Sequence, residues 1–182
     1  MRLVILDRDG VINYDAPDFI KSPAEWKPLP GSLEAIARLN RAGYRVVVVS
    51  NQSGLSRRVL DIEALNLVHE KMHRQVGEVG GAIDAIFFCP HGPRDACRCR
   101  KPKPGLLLEI ASRLNLSLTG VPAVGDSARD IEAAQSVGAR PMLVLTGNGR
   151  ATLQVSDQFQ RVEVYPDLAA VADALIAETD AS

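Results

Sequence analysis

Short runs of aliphatic and β-branched residues alternate along the chain with stretches whose apolar positions recur at helical spacing, and each short run ends in small or polar residues. That alternation is the βαβ rhythm of a parallel sheet. Strands are expected at residues 3–6, 45–49, 83–88, 122–124, 141–145 and 162–165. Val46, Val47, Val48 and Val49 follow one another without a polar interruption, as in a strand buried on both faces, so helices must lie above and below the sheet. The segment 33–39 carries an apolar stripe at helical spacing and stops at Gly43, a good C-terminal breaker. Further helices are expected near 61–79, 105–114, 127–137 and 168–178. The proline-containing stretches 17–30 and 90–104 have neither period, and long irregular loops in α/β domains often carry function.

The chain of 182 residues fits one domain, and 46% hydrophobic with 24% charged residues gives it a real core and excludes intrinsic disorder. Lys and Arg number 21 against 22 Asp and Glu. No global field therefore draws the chain to nucleic acid or to a membrane surface, and any anion must be held locally. No apolar run is long enough to span a bilayer and the first residues lack a secretory pattern, so a cytoplasmic chain is expected.

Chemistry concentrates where the strands end. The first strand runs into Asp7, Arg8, Asp9 and Gly10, which places two carboxylates at the sheet edge where open α/β folds bind ligands. Such a pair can hold a hard divalent cation while one acid attacks an electrophile and the other handles a proton. The second strand ends in Ser50, Asn51, Gln52 and Ser53, which offer hydrogen bonds to phosphoryl oxygens. A later strand ends in Gly125, Asp126 and Ser127, where Asp126 can complete a cation's oxygen shell and Ser127 can cap the next helix. Each cluster alone reads as a polar turn. Three of them at one sheet edge read as a site.

The three cysteines lie within eleven residues, and Cys89, His91, Cys97 and Cys99 form a Cys-x-His-x5-Cys-x-Cys pattern. Three thiolates and an imidazole make a closed tetrahedral set for structural Zn²⁺, with no ligand position left for catalysis. His69 and His73 also form a His-Glu-x-x-His motif on an expected helix, the signature of a zinc protease. Nothing nearby supplies a third ligand, and Ile62, Leu65, Val68, Met72 and Val76 make that helix a packing element.

Over residues 3–145 these motifs resemble the haloacid dehalogenase superfamily of aspartate-nucleophile phosphatases, whose first motif is Asp-x-Asp-Gly. The resemblance implies a capless, single Rossmann-like three-layer α/β domain over 1–182, with a zinc-binding insertion at 89–105. It implies Asp7 as nucleophile, Asp9 as general acid and then base, and Ser50 and Lys101 as further catalytic groups. Mg²⁺ would be held by Asp7, the Asp9 carbonyl and Asp126. The zinc loop followed by Arg100, Lys101, Pro102, Lys103, Pro104 and Gly105 is similar to the D-glycero-D-manno-heptose 1,7-bisphosphate 7-phosphatases, with the histidinol-phosphate phosphatases as near relatives. That family implies a sugar bisphosphate substrate, a place in nucleotide-activated heptose and lipopolysaccharide core synthesis, and substrate contacts from Asp15, Ala16, Pro17, Asp18, Ser50, Asn51, Gln52, Ser53, Arg100, Lys101 and Ser127. The match departs in two places: the zinc loop is compact, and Ala16, Pro17 and Asp18 replace a more usual glycine-aromatic sequence. Two alternatives stand beside it, a histidinol-phosphate phosphatase and a catalytically silent zinc-stabilised binding protein.

Overall fold

The structure is a computed structural model that describes residues 2–155 and 162–181. Its elements are β1 (Arg2–Leu6), α1 (Ser32–Arg41), β2 (Tyr44–Asn51), α2 (Ile62–Glu78), β3 (Ala85–Cys89), α3 (Gly105–Leu114), β4 (Pro122–Gly125), α4 (Ala128–Ser136), β5 (Arg140–Val144), α5 (Gly149–Val155), β6 (Glu163–Tyr165) and α6 (Leu168–Asp180). The strands form one sheet in the order β3-β2-β1-β4-β5-β6, every pairing parallel. A mostly parallel sheet was the expectation from sequence. The observed sheet contains no antiparallel pair among the described strands.

Two apolar layers flank the sheet, as the valine run requires. Val46 and Val48 join Leu33, Ile36 and Leu39 of α1, Val68 and Met72 of α2, and Val171 and Leu175 of α6. Val47 and Val49 face the other way and meet Leu106, Leu107 and Ile110 of α3 and Ala133 and Ala134 of α4. Trp26 is fully buried in the first layer, so the proline-containing stretch 17–30 is packed against the domain.

Most boundaries shift by a residue or two from the sequence expectation, and three differences bear on the architecture. β3 begins at Ala85 rather than at residue 83, because Asp84 turns its side chain back and accepts a hydrogen bond from Val46 N at 2.9 Å. β2 extends through Ser50 and Asn51, whose partners on β3 are Phe88 and Cys89. α5 was not expected: it has a single turn's worth of packing residues, and its start at Gly149 after Thr146, Gly147 and Asn148 reads as a loop.

β1 is central, with β2 on one side and β4 on the other. Asp7 N donates to Val124 O at 2.9 Å, which continues the β1–β4 ladder by one bond and fixes Asp7 beside Asp126. β2 and β3 end beside them, so Ser50 and the segment beginning at Cys89 open onto the same edge. No described helix is long and apolar enough to cross a membrane.

Candidate active site

At that edge lies a cavity of about 240 Å³, lined among others by Asp7, Asp9, Asp15, Ser50, Gln52, Lys101, Asp126 and Asp130. Gly10 makes its floor possible. It turns the chain at φ +80°, and a Cβ there would overlap the Asp126 carboxylate. A side chain at Gly147 would meet the same carboxylate, so two glycines from separate loops close around Asp126. Asn148 then fixes it, with its N and Nδ2 donating to Asp126 Oδ2 at 2.7 and 3.2 Å.

Lys101 is buried to 6% exposure and its Nζ meets Asp7 Oδ1 at 2.9 Å, Asp130 Oδ1 at 2.6 Å and Val49 O at 3.0 Å. The loop carrying it is anchored by a two-way amide clasp: Asn51 Nδ2 donates to Lys101 O, and Lys101 N donates to Asn51 Oδ1, each at 3.1 Å. Asp130 was missed by sequence reasoning, because an acid in the first turn of a helix reads as a dipole-matching cap. It is a cap as well: Ser127 N and Oγ both donate to Asp130 Oδ2, at 3.0 and 2.6 Å. The structure thus ties Ser127 into the start of α4 and not into the cavity wall, where its neighbours Arg129 and Asp130 stand instead. Asp18 also stays exposed outside the lining, whereas Asp15, Ala16 and Pro17 belong to it.

One buried ammonium faces three carboxylates whose oxygen atoms lie within 4.8 Å of one another, those of Asp7, Asp126 and Asp130. Their charges oppose ionisation. Burial first and then Asp130 push Asp7 well above the usual carboxylate range, against the pull of Lys101. Burial raises Asp126 to about 6. Lys101 holds Asp130 the other way, below its usual value against the penalty of burial. An uncompensated negative excess in a buried oxygen-lined site is the donor set a hard divalent cation requires.

Asp9 faces a different set of partners. Arg8, buried to 1%, grips it with Nε at 3.0 Å and Nη2 at 3.1 Å, while Asn13 Nδ2 and Gln52 Nε2 donate at 2.9 and 3.2 Å. Gln52 Nε2 also donates to Ser50 Oγ at 2.7 Å, which leaves the Ser50 hydroxyl proton free to point into the cavity. Arg8 gave no signal in the sequence, where an arginine between two acids reads as a solvated residue.

The sulfur-rich loop gathers as its spacing suggests. Cys89 Sγ lies 3.2 Å from Cys99 Sγ, 3.8 Å from Cys97 Sγ and 3.5 Å from His91 Nδ1, which is itself 3.2 Å from Cys99 Sγ. Thiolates at about 2.3 Å from a tetrahedral Zn²⁺ stand about 3.8 Å apart, so the four donors fit that ion with small adjustments. Burial first, then the Cys99 contact, pushes the Cys89 thiol up to about 12, the expected state of sulfur brought together without a cation. The His-Glu-x-x-His pair is separated instead: His69 is buried against Phe88, with ring centroids 6.0 Å apart, and His73 is exposed. Neither belongs to a group of three metal-ligating side chains among the described residues.

Haloacid dehalogenase-like hydrolases match residues 4–75, and a second HAD-hydrolase-like family matches residues 98–171. The D-glycero-beta-D-manno-heptose-1,7-bisphosphate 7-phosphatase of Bordetella bronchiseptica is 56% identical over 98% of this chain and 99% of its own length. This chain belongs to that phosphatase family, within the haloacid dehalogenase superfamily. Another member of the family, the enzyme of the same name from Pseudomonas putida, is 49% identical over 97% of this chain and all of its own. The crystal structure of the B. bronchiseptica phosphatase, complexed with magnesium and phosphate, superposes with a TM-score of 0.95 over 98% of this chain and 99% of that one. The heptose bisphosphate phosphatase family therefore covers the whole architecture, including the zinc-type loop that its sequence pattern singled out.

Proposed function

We propose that this protein is a Mg²⁺-dependent phosphatase that removes the 7-phosphate of D-glycero-D-manno-heptose 1,7-bisphosphate. The single observation that carries the reading is Lys101 Nζ held 2.9 Å from the Asp7 carboxylate at the floor of an open, polar cavity. Asp7 attacks the phosphorus in line, forming an aspartyl-phosphate as the bond to the sugar oxygen breaks. Asp9 delivers the proton to that oxygen and later takes one from the water that cleaves the acyl phosphate. Ser50 donates to a phosphoryl oxygen, its orientation set by Gln52. Lys101 offsets charge on the nucleophile and on the transferring group, which an anion attacking an anion requires.

Asp7, Asp126 and the Asp9 carbonyl would hold Mg²⁺, whose contribution when bound is to neutralise the phosphoryl charge and align it. Asp130 serves in this account as the anchor of Lys101 and not as a ligand, since both its oxygens are engaged by Lys101 and Ser127. Zn²⁺ would be held by Cys89, His91, Cys97 and Cys99 as the knot of the insertion at 89–105 within a single phosphatase domain over 1–182. The carry-over of Asp15, Ala16, Pro17, Asn51, Ser53, Arg100 and Lys101 as substrate contacts is supported by their place on the cavity wall. The same reading makes the protein a cytoplasmic monomer serving nucleotide-activated heptose synthesis.

The test is phosphate release from the heptose bisphosphate and from histidinol phosphate by the same preparation with added Mg²⁺. A higher kcat/KM for the heptose bisphosphate is expected. An equal or higher value for histidinol phosphate would move the assignment to the neighbouring family and leave the chemistry intact. No release from either would favour the silent binding protein.

A further inference from the structure

Arg8 stands between the two catalytic acids in sequence, and the mechanism above gives it no task. It is 1% exposed, and its ion pair among the described residues is with Asp9, whose side chain keeps 22% exposure on the cavity wall. Nη1 is buried with no hydrogen-bond partner among the described residues. A buried guanidinium that leaves a donor unmet is a poor source of stability, since apolar side chains of similar volume fill such space at lower cost. What it does to Asp9 is visible in the geometry.

The turn after β1 fixes the base of the side chain: Arg8 O accepts from Ile12 N at 2.8 Å and from Asn13 N at 3.2 Å. The guanidinium then closes on the carboxylate, with Nε donating to Asp9 Oδ1 at 3.0 Å and Nη2 to Oδ2 at 3.1 Å, and Nη2 also 2.9 Å from Oδ1. Two amides divide the oxygens between interior and cavity. Oδ1 accepts from Nδ2 of Asn13, which is fully buried, and Oδ2 from Nε2 of Gln52, which lines the cavity. The Gln52 bond is the longest at 3.2 Å, and the same amide reaches Ser50 Oγ at 2.7 Å, so a substrate oxygen can replace it on Oδ2 while the guanidinium contact stays made. Left alone, the terminal torsion of an aspartate is broad and spreads the carboxyl plane. A guanidinium against both oxygens fixes that plane, which the point charge of a lysine cannot do.

We infer that Arg8 is a positioning residue for proton delivery: it holds the carboxyl plane of Asp9 so that Oδ2 faces the leaving oxygen of the substrate. The inference rests on the phosphatase reading and deepens it. The step served is the one in which Asp7 forms its bond to phosphorus, the bond from phosphorus to the sugar oxygen breaks, and the proton on Asp9 Oδ2 passes to that oxygen. Misplacing the acid slows this step only where the leaving oxygen is basic enough to need the proton.

The experiment measures kcat/KM for the heptose 1,7-bisphosphate, whose alcohol oxygen needs a proton to leave, and for p-nitrophenyl phosphate, whose phenolate leaves without one. It compares the wild type with Arg8→Lys and Arg8→Met. Because kcat/KM runs only to the first irreversible step, it reads formation of the aspartyl-phosphate and not the later attack of water, in which Asp9 serves both substrates alike. The heptose bisphosphate is expected to lose about a hundredfold in both variants, through kcat and with KM little changed. p-Nitrophenyl phosphate should lose no more than about threefold. A parallel loss on the two substrates, wild-type values in Arg8→Met, or recovery of the wild-type ratio in Arg8→Lys would each overturn the positioning role while the phosphatase reading stands. Arg8→Lys keeps a positive charge beside Asp9 and carries the comparison if Arg8→Met does not fold; failure of both to fold would make the residue structural and overturn the inference too. A wild type without activity on the heptose bisphosphate overturns both.

Discussion

Asp130 closes on Lys101 at 2.6 Å, nearer than the 2.9 Å that separates the same ammonium from Asp7. The lysine is therefore anchored by one acid and shared with another. Removing the lysine leaves buried negative charge without compensation, whereas neutralising one of the three acids relieves the excess. That coupling governs how the site should respond to substitution.

Asp7→Asn should abolish phosphate release and leave the fold intact, since an amide cannot be phosphorylated at oxygen and released again. Its effect on stability has the opposite sign. Asp7 has a raised value in the folded protein, so its ionisation near neutral pH opposes folding. Metal-free Asp7→Asn should accordingly melt above the metal-free wild type at pH 7. Near wild-type phosphate release from a purified variant, with contamination excluded, would sink the aspartyl-phosphate mechanism.

Lys101→Ala should reduce kcat/KM and also destabilise the protein, by about 3–5 kcal/mol in urea titration, because Asp7 and Asp130 are left facing each other in a buried site. Sequence reasoning alone expects damage to catalysis more than to folding; the burial of Lys101 adds the second effect. Asp130→Asn should show a smaller loss of stability, with turnover reduced through a displaced Lys101. Retained kcat/KM in Lys101→Ala would point to another cation, but Lys103 Nζ is exposed and donates to Cys97 O.

Elemental analysis of reduced, active protein should return one zinc per chain, and Cys97→Ser should lose it. Since the knot precedes Arg100 and Lys101 directly, the same variant should show lower thermal stability and lower turnover together. Active, folded protein without zinc would refute the knot.

Acid should weaken the fold through His69. Burial, then Arg8, lowers His69 to about 4, so the folded state holds it neutral whereas the unfolded chain binds a proton near 6.5. Its contribution is fully present above pH 6.5 and is lost as pH falls toward 4, a change of about 3 kcal/mol at most. His69→Leu should flatten the fall in unfolding free energy between pH 7 and pH 5 relative to the wild type. Parallel curves for the two proteins would contradict the assignment.

What the sequence showed and what it hid follow from how far each signal reaches along the chain. Asp7 and Asp9 were legible because acids directly after an apolar strand mark the sheet edge, and the sulfur loop because its four ligands are neighbours in sequence. Asp130 and Arg8 were hidden because their roles depend on burial, which their local sequence does not show: Asp130 meets Lys101 from a distant loop, and Arg8 is buried to 1% while gripping Asp9. Ser127 was read correctly as a cap, while its place among the substrate contacts came only from resemblance. α5 escaped notice because seven residues after a glycine-containing turn carry too little periodicity to register.

The central position of β1 also bears on how the protein is made. β1 precedes every other strand of the sheet, yet one of its two edges is covered only by β4, which begins at Pro122. At about 5–20 residues per second, a ribosome leaves that edge without its native neighbour for on the order of ten seconds. During that interval Leu3, Val4, Ile5 and Leu6, all buried in the finished protein, expose an unpaired row of backbone donors and acceptors. The nascent chain therefore passes through a window in which this apolar segment lacks its cover on one side, and Asp7 at its end waits for Val124 and Asp126 to reach it.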